Sequence, residues 1–329
     1  MFAALAAPRQ GGQRAQREAA LRGSIAGTGA AVPTRIVTND YFVSELGLDT
    51  TAEWIESRTG IRERRFADPD LPLHMLAANA GRQALERAGA DPADLRLIVV
   101  ATSSSDNRMP STAALVQAEL CARRAAAFDL NAACSGFVYA FDVAARCLQS
   151  LGGQALIIGA DRGSSLVNRM DRTTSVFFGD AAGAVLLDAD GPGEVLASAL
   201  ASQGTAAPLV VPAHGTMHMD GKAIWNFATQ IIPETILSLC RTAGLSPDEI
   251  DLIVPHQANV NILKAAADAL DMPFDRWMVN LDRYGNTVAA SVPVALDEAL
   301  QSGRARRGDH VLLVGFGAGL CWGGQIIQL

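Results

Sequence analysis

Two stretches of this chain are copies of one another. Ala88 to Val100 reads AGADPADLRLIVV and Ala243 to Pro255 reads AGLSPDEIDLIVP, so a helix end, a turn through Pro and a Leu-Ile-Val strand recur 155 residues apart. Self-similarity at so long a period means two halves built alike, not a solenoid of small repeats. A helix opening at Cys134 ends in Leu148-Gln149-Ser150, and one opening at Asn286 ends in Leu300-Gln301-Ser302, both at an offset of 152. The strands that follow, ALIIGA from Ala155 and VLLVGF from Val311, also correspond. Strand and helix alternate in each half, and the aliphatic runs are too continuous for a sheet with one wet face. This predicts an α/β fold of mostly parallel sheets covered by helices. The segment DADGPGE breaks the pattern and places a boundary near Gly191 to Gly193. The expected division is an N-terminal extension over 1–22, a first half over 23–192 and a second over 193–329.

The first half carries AAFDLNAACSGFVYAFDVAARCLQS from Ala126 to Ser150, where an apolar strand runs through a small-residue turn into a helix opening at Cys134. A cysteine at a helix N-terminus lies in the positive end of the helix dipole, which favours the nucleophilic thiolate. Ala132, Ala133, Ser135 and Gly136 leave room for a substrate beside it. The other reading, a buried free cysteine that only packs, stands equally on this stretch alone. Two copies related by a pseudo-twofold axis bring equivalent helix starts toward one shared cleft, and that favours Cys134 and Asn286 facing one ligand.

His256 ends the second Leu-Ile-Val strand in VPHQAN, at the strand end where ligands bind in open α/β sheets. Asn286, in YGNTVAAS, reads either as a partner in that cleft or as a helix N-cap. His214 and His218 have i, i+4 spacing in a loop-like segment with no third ligand nearby, so no metal is expected. The GFGAG run from Gly315 has only ten residues after it, too few for a dinucleotide-binding unit; such a turn instead aims backbone N–H groups at an oxyanion. A cysteine, a histidine and an asparagine also serve papain-like hydrolases, but those lack this duplication.

Composition excludes other classes. The net charge of −7 implies no basic face for nucleic acid, and no apolar run approaches the length of a membrane span. Five cysteines with no CxxC pair argue for a reducing compartment and a soluble cytoplasmic protein. The first 21 residues carry Arg9, Arg14 and Arg17 against Glu18, but Pro8, Gly11 and Gly12 interrupt any amphipathic helix, and no targeting role is assigned.

Six motifs in series, EWIESRTGIRER at Glu53, AACSGF at Cys134, FGDAAGA at Phe178, PHQAN at His256, GNTVAASVP at Asn286 and GFGAGLCWG near the end, resemble the 3-oxoacyl-acyl-carrier-protein synthase III family. The likeness runs in order from about Gly23 to Leu329. It implies a thiolase-like five-layer α/β/α/β/α fold, a homodimer and an acyltransferase without cofactor, with acyl-CoA as a substrate. The implied reaction is acylation of Cys134, then decarboxylative condensation with a malonyl thioester held by His256 and Asn286. The backbone N–H groups of Cys134 and Ala318 match the oxyanion hole. Trp54, Arg58 and Arg172 match residues that hold the CoA nucleotide, and Met109, Gly163 and Phe178 match the acyl tunnel.

The chain departs from the family pattern in places. Ala318 stands where glycine is usual. Met109 stands where a partner subunit inserts phenylalanine, and Gly163 where a larger aliphatic residue narrows the tunnel, which together imply primers longer than acetyl. Asn226, Asn261 and Asp268 replace lysine or arginine that dock an acidic carrier protein. These departures leave a second reading open, a specialised acyltransferase of secondary metabolism that passes the acyl group to an amine, an alcohol or a pre-formed β-keto thioester. A catalytically silent partner subunit and a thioesterase are the remaining alternatives.

Overall fold

The computed structural model describes residues 21–206 and 208–329. In the first half, β1 (Ser24–Ala31), β2 (Leu95–Ala101), β3 (Ala126–Leu130), β4 (Gln154–Arg162) and β5 (Asp180–Asp188) form one sheet in the order β1-β5-β4-β2-β3. In the second, β6 (Glu194–Thr205), β7 (Leu252–Pro255), β8 (His310–Gly317) and β9 (Gly319–Gln328) lie in the order β6-β9-β8-β7. Neighbour relations repeat. β4 and β8 are each parallel to one neighbour, β2 or β7, and antiparallel to the other, β5 or β9.

The expectation of mostly parallel sheets is corrected by these pairings. Besides β2 with β4 and β7 with β8, only β2 with β3 is parallel among the described main-sheet pairs. The aliphatic runs are continuous because both sheet faces are covered, which says nothing about strand direction. In β2, Leu97 and Val99 enter one core while Ile98 and Val100 enter another; in β8, Val311 and Leu313 do the same against Leu312 and Val314. Period-2 alternation thus feeds two buried layers instead of one buried and one wet.

The helices complete five layers. α1 (Ala52–Thr59) lies near the surface, and α2 (Leu73–Ala88) and α3 (Thr112–Glu119) cover the outer face of the first sheet. α4 (Gly136–Leu151) lies between the sheets, α5 (Gly221–Ala243) and α6 (Val260–Ala269) cover the second sheet, and α7 (Ser291–Gln301) joins α4 in the middle. Phe137 and Phe141, both fully buried on α4, contribute roughly 1.5–3 kcal/mol each by leaving water.

The two central helices are entered alike. A 3-10 turn, Ala133–Ser135, precedes α4, and another, Val288–Ala290, precedes α7; Ala133 and Val288 open them with φ of +48° and +53°. Asn131 Oδ1 accepts from Ala133 N at 3.1 Å, and Asn286 Oδ1 accepts from Val288 N at 2.9 Å. At this end of the helices the halves therefore correspond at an offset of 155, so Asn286 is the counterpart of Asn131, and Ala289 that of Cys134. The expected 152 offset aligned the wrong ends, because α7 has 11 residues and α4 has 16.

The chain passes from one sheet to the other between Asp188 and Glu194. Leu21 and Arg22 pair with Val195 and Glu194 as an edge strand, so the last two residues of the expected 1–22 extension belong to the second sheet. Residues 1–20 lie outside the described residues.

Candidate active site

Cys134 occupies the 3-10 turn at the entrance to α4 and is 7% exposed. The turn lies against the end of β8, where a Cβ at Gly317 would stand 2.8 Å from Cys134 N and 2.9 Å from its Cβ. Only glycine allows that approach. On its other side Cys134 packs with Val167, Phe178, Met217 and Val288. Burial, then the Asp161 carboxylate, pushes the thiol up to about 12, and its own backbone N–H is the opposing influence. The expected resting thiolate is therefore corrected to a neutral thiol, because desolvation outweighs the field of the helix end.

His256 follows β7 directly, and its backbone N donates to Val314 O at 2.8 Å, which fixes it at the strand end. The ring stands edge-on to Phe316 with centroids 5.2 Å apart, and Nδ1 lies 2.7 Å from Ser291 Oγ. Burial pushes its pKa down to about 3, so the imidazole is neutral. Asn286 is held through its backbone: its N donates to Phe177 O at 2.8 Å and its O accepts from Gly179 N at 3.0 Å. Its side-chain Oδ1 is taken by Val288 N, so the N-cap-like reading of Asn286 also describes a real bond. With Oδ1 taken, Nδ2 is the side-chain atom left to donate.

Asp161, at the end of β4, is a site residue that the sequence reading missed. Oδ1 accepts from Ser103 N at 2.8 Å and Ser104 Oγ at 2.7 Å, and Oδ2 accepts from Ala289 N at 3.0 Å. One fully buried carboxylate thus ties the first half to the turn ahead of α7. Burial pushes its pKa up to about 6 against these donors. The one trace of it in the sequence is an aliphatic strand that ends in an acid, IIGAD.

Two cavities meet at Cys134. A passage of about 110 Å³ is bordered by Cys134, His256 and Asn286, with Trp225, Phe227 and Phe316 in its wall. A larger cavity of about 910 Å³ is bordered by Cys134, Leu166, Met217, Val288 and Ala318. Phe178 is 2% exposed and divides them, lining both. Met109 borders neither and is 84% exposed.

Gly163 does not widen the tunnel. It borders neither cavity, and a Cβ there would sit 2.7 Å from Gly179 O and 3.4 Å from Asn286 O. The space that a side chain leaves empty is already filled by backbone. Gly163→Ala therefore lowers stability by roughly 1–3 kcal/mol through overpacking and leaves primer length unchanged. Thermal unfolding beside an acyl-CoA panel checks this; a shortened primer range at unchanged stability sinks it.

Trp54 and Arg172 are brought together, with the guanidinium carbon 5.6 Å from the Trp54 ring centroid and Arg172 Nη1 donating to Asp49 O at 3.0 Å. Arg58 is exposed one turn along α1, whose last carbonyls are taken by Asn259 and Asn261: Asn261 Nδ2 donates to Arg58 O at 3.0 Å. All three stand outside the passage that Cys134 borders.

Comparison with known proteins follows the same geometry. Residues 128–204 match the model of the 3-oxoacyl-[acyl-carrier-protein] synthase III family, and residues 240–329 match that of its C-terminal part. A beta-ketoacyl-[acyl-carrier-protein] synthase III of Roseiflexus sp. (strain RS-1) is 44% identical over 323 residues, covering 93% of this chain and 98% of that relative. This chain belongs to the 3-oxoacyl-acyl-carrier-protein synthase III family.

Solved structures superpose closely on this chain. The enzyme from Aquifex aeolicus VF5 has a TM-score of 0.90 at 40% identity and covers 93% of this chain and 100% of its own. The priming beta-ketosynthase of the R1128 polyketide pathway has a TM-score of 0.87 at 35% identity, covering 94% and 97%. The thiolase-like five-layer fold expected from the motifs is the fold of these synthase III structures. Among the described residues, no helix is long and apolar enough to cross a membrane.

Proposed function

We propose that this chain is a ketosynthase III-type acyltransferase in which Cys134 takes an acyl group from acyl-CoA and passes it to the carbanion of a decarboxylating malonyl thioester. The convergence of Cys134, His256 and Asn286 on one narrow passage carries the reading. The first half-reaction exchanges one thiol for another: the Cys134 sulfur bonds the acyl carbon, the C–S bond to CoA breaks, and the thiol proton ends on CoA. The thiol gives up its proton as the sulfur attacks, since the thiolate is the nucleophile, and the exchange as a whole gains or loses no proton. In the second, the malonyl carboxylate leaves as carbon dioxide and its electron pair becomes an enolate. His256 Nε2–H and Asn286 Nδ2–H donate to the enolate oxygen while its carbon attacks the acyl carbonyl, releasing the Cys134 sulfur as a thiolate that takes up one proton from water to return to the thiol. Neutral donors aimed where charge develops are what such a step requires. Backbone N–H groups of Cys134 and Ala318 serve the acyl-transfer oxyanion.

Further assignments rest on placement. The cavity of about 910 Å³ beside Cys134 supports primers longer than acetyl. β3 is one of the two edge strands of its sheet, with Phe128 37% exposed, which supports a homodimer in which Met109 of a second copy reaches the primer cavity. Trp54 and Arg172 grip the CoA adenine if they part slightly, since a ring between them needs about 7 Å. All five cysteines are free thiols, in keeping with a cytoplasmic location.

The acceptor is argued from charge. Asn226 and Asp268 are exposed on α5 and α6, and Asn261 is spent on α1. Lys222 and Lys264, the only lysines of the chain, stand one turn before Asn226 and Asp268, but Asp268 offsets the second. Arg304 is committed elsewhere, to the carbonyls of Asp275 and Trp277. A standard acidic carrier therefore docks weakly, and malonyl-CoA or a dedicated carrier serves better. Product formation from a panel of acyl-CoAs with malonyl-carrier or malonyl-CoA, over a range of salt, tests both parts. Hydrolysis of the acyl-enzyme without condensation would make the chain a thioesterase, and a fast carrier-dependent rate that falls steeply with salt would overturn the weak-docking assignment.

A further inference from the structure

We propose that Ser291 is a positioning residue that sets the tautomer of His256, and so decides whether the imidazole nitrogen facing the malonyl thioester carries a proton; the inference rests on the condensing role given above to His256. Ser291 is the first residue of α7, 1% exposed, and its Oγ has two neighbours: His256 Nδ1 at 2.7 Å and Val288 O at 3.0 Å. A hydroxyl has one proton, so it donates to one of them. If it donates to Val288 O, Nδ1 must carry the ring proton and donate to Ser291, which leaves Nε2 as a bare lone pair. If it donates to Nδ1, the ring proton is on Nε2.

Three observations choose the second arrangement. The 2.7 Å contact lies at the preferred length for an O–H donor and at the short end for N–H, while 3.0 Å is at the long end for O–H to a carbonyl. Val288 O is not left without a donor in that arrangement, because Ser291 N donates to it in the turn that opens α7. Burial keeps the ring neutral, so one nitrogen must lack a proton. Nδ1 is that nitrogen, and Nε2–H is the donor left for the passage that Cys134 and Asn286 also border.

The same turn serves both donors. Val288 N fixes Asn286 Oδ1, which leaves its Nδ2–H to donate, while Ser291 three residues on fixes the imidazole. Val288 holds φ of +53°, a left-handed conformation that a β-branched residue adopts at a cost, and Asp161 Oδ2 secures the turn by accepting Ala289 N. One strained turn thereby aims two neutral N–H groups by taking up the acceptor atom of each side chain.

The test has two readouts. In protein labelled with 15N-histidine, with His256 assigned by comparison with His256→Gln, the ring nitrogens are read directly: Nδ1 is expected unprotonated and Nε2 protonated. Ser291→Ala is expected to mix the tautomers and slow malonyl decarboxylation by about 10- to 100-fold, acylation of Cys134 changing less than about twofold, while Ser291→Thr restores most of the rate. A parent spectrum with the proton on Nδ1 would overturn the proposal without recourse to any variant. So would Ser291→Ala that decarboxylates at the parent rate, or that loses both half-reactions equally. The tautomer is read with no substrate present, so failure of the parent to use malonyl thioesters sinks the condensing role and leaves this measurement standing on its own.

Discussion

Cys134→Ala forms no acyl-enzyme with any acyl-CoA, and condensation falls by more than about 10⁴-fold. No neighbouring group can take over. Ser135 is adjacent, but its hydroxyl donates to Ala132 O at 2.7 Å and is fully buried, so it is neither free nor accessible. Cys321 is the rival thiol, since it borders the larger cavity beside Cys134. It follows Gly319-Leu320 at the start of β9 and does not border the passage where His256 and Asn286 stand. Intact mass after incubation with acyl-CoA, followed by peptide mapping, separates the two thiols. Acyl mass on the Cys321 peptide of the variant at the parent rate would move the nucleophile. The substitution removes one atom from a packed pocket, so an unfolded variant is not expected, and a thermal melt close to the parent's confirms that the loss is chemical.

The duplication was legible in the residues because it is written in element ends: Ala-Gly, the Pro turn and Leu-Ile-Val recur in β2 and β7. Those motifs say which strands lie inside, since Leu97 to Val100 and Leu252 to Val254 feed cores on both faces. Strand direction was not legible. It is set by how β5 and β9 return, and hydrophobic pattern is blind to that. The register between halves failed for a related reason. Matching Leu148-Gln149-Ser150 to Leu300-Gln301-Ser302 aligned helix C-termini, whereas the chemistry sits at the N-termini, where Asn131 and Asn286 make the same turn.

Cys134, His256 and Asn286 were found from their motifs, and the structure brings all three to one passage. What the residues alone could not give was their state. Burial leaves Cys134 a thiol and His256 neutral, and burial depends on the whole fold. Gly163 shows the opposite limit: a missing side chain reads as free space in a sequence, but here the backbone of Gly179 fills it. Asp161 and Ser291 escaped notice because their bonds join residues 128 and 35 positions apart.

His256→Ala and Asn286→Asp both become acylated at Cys134 within about threefold of the parent rate and lose condensation by about 10²–10³-fold, the usual cost of removing one oxyanion donor. Acylation survives because thiol exchange draws on the helix start and the β8–β9 turn, and neither substitution touches Cys134 N or Ala318. For Asn286, aspartate discriminates better than alanine. Its Oδ still accepts from Val288 N, so the turn at φ of +53° keeps its anchor, but an ionised carboxylate has no proton to donate. It also places negative charge where the enolate develops, so decarboxylation is opposed twice. Asn286→Ala removes the anchor and the donor together and would confuse the two. His256→Ala leaves a hole in a fully buried site and costs stability, so its rate is measured well below its own melting temperature. The measurement is a pair of single-turnover rates on each variant: mass gain at Cys134 with acyl-CoA alone, then carbon dioxide release from malonyl-CoA by the isolated acyl-enzyme. Parent-like carbon dioxide release from the Asn286→Asp acyl-enzyme would show that Nδ2–H is not the donor. Loss of acylation in His256→Ala would make the imidazole a base in the first half-reaction instead of a hydrogen-bond donor in the second.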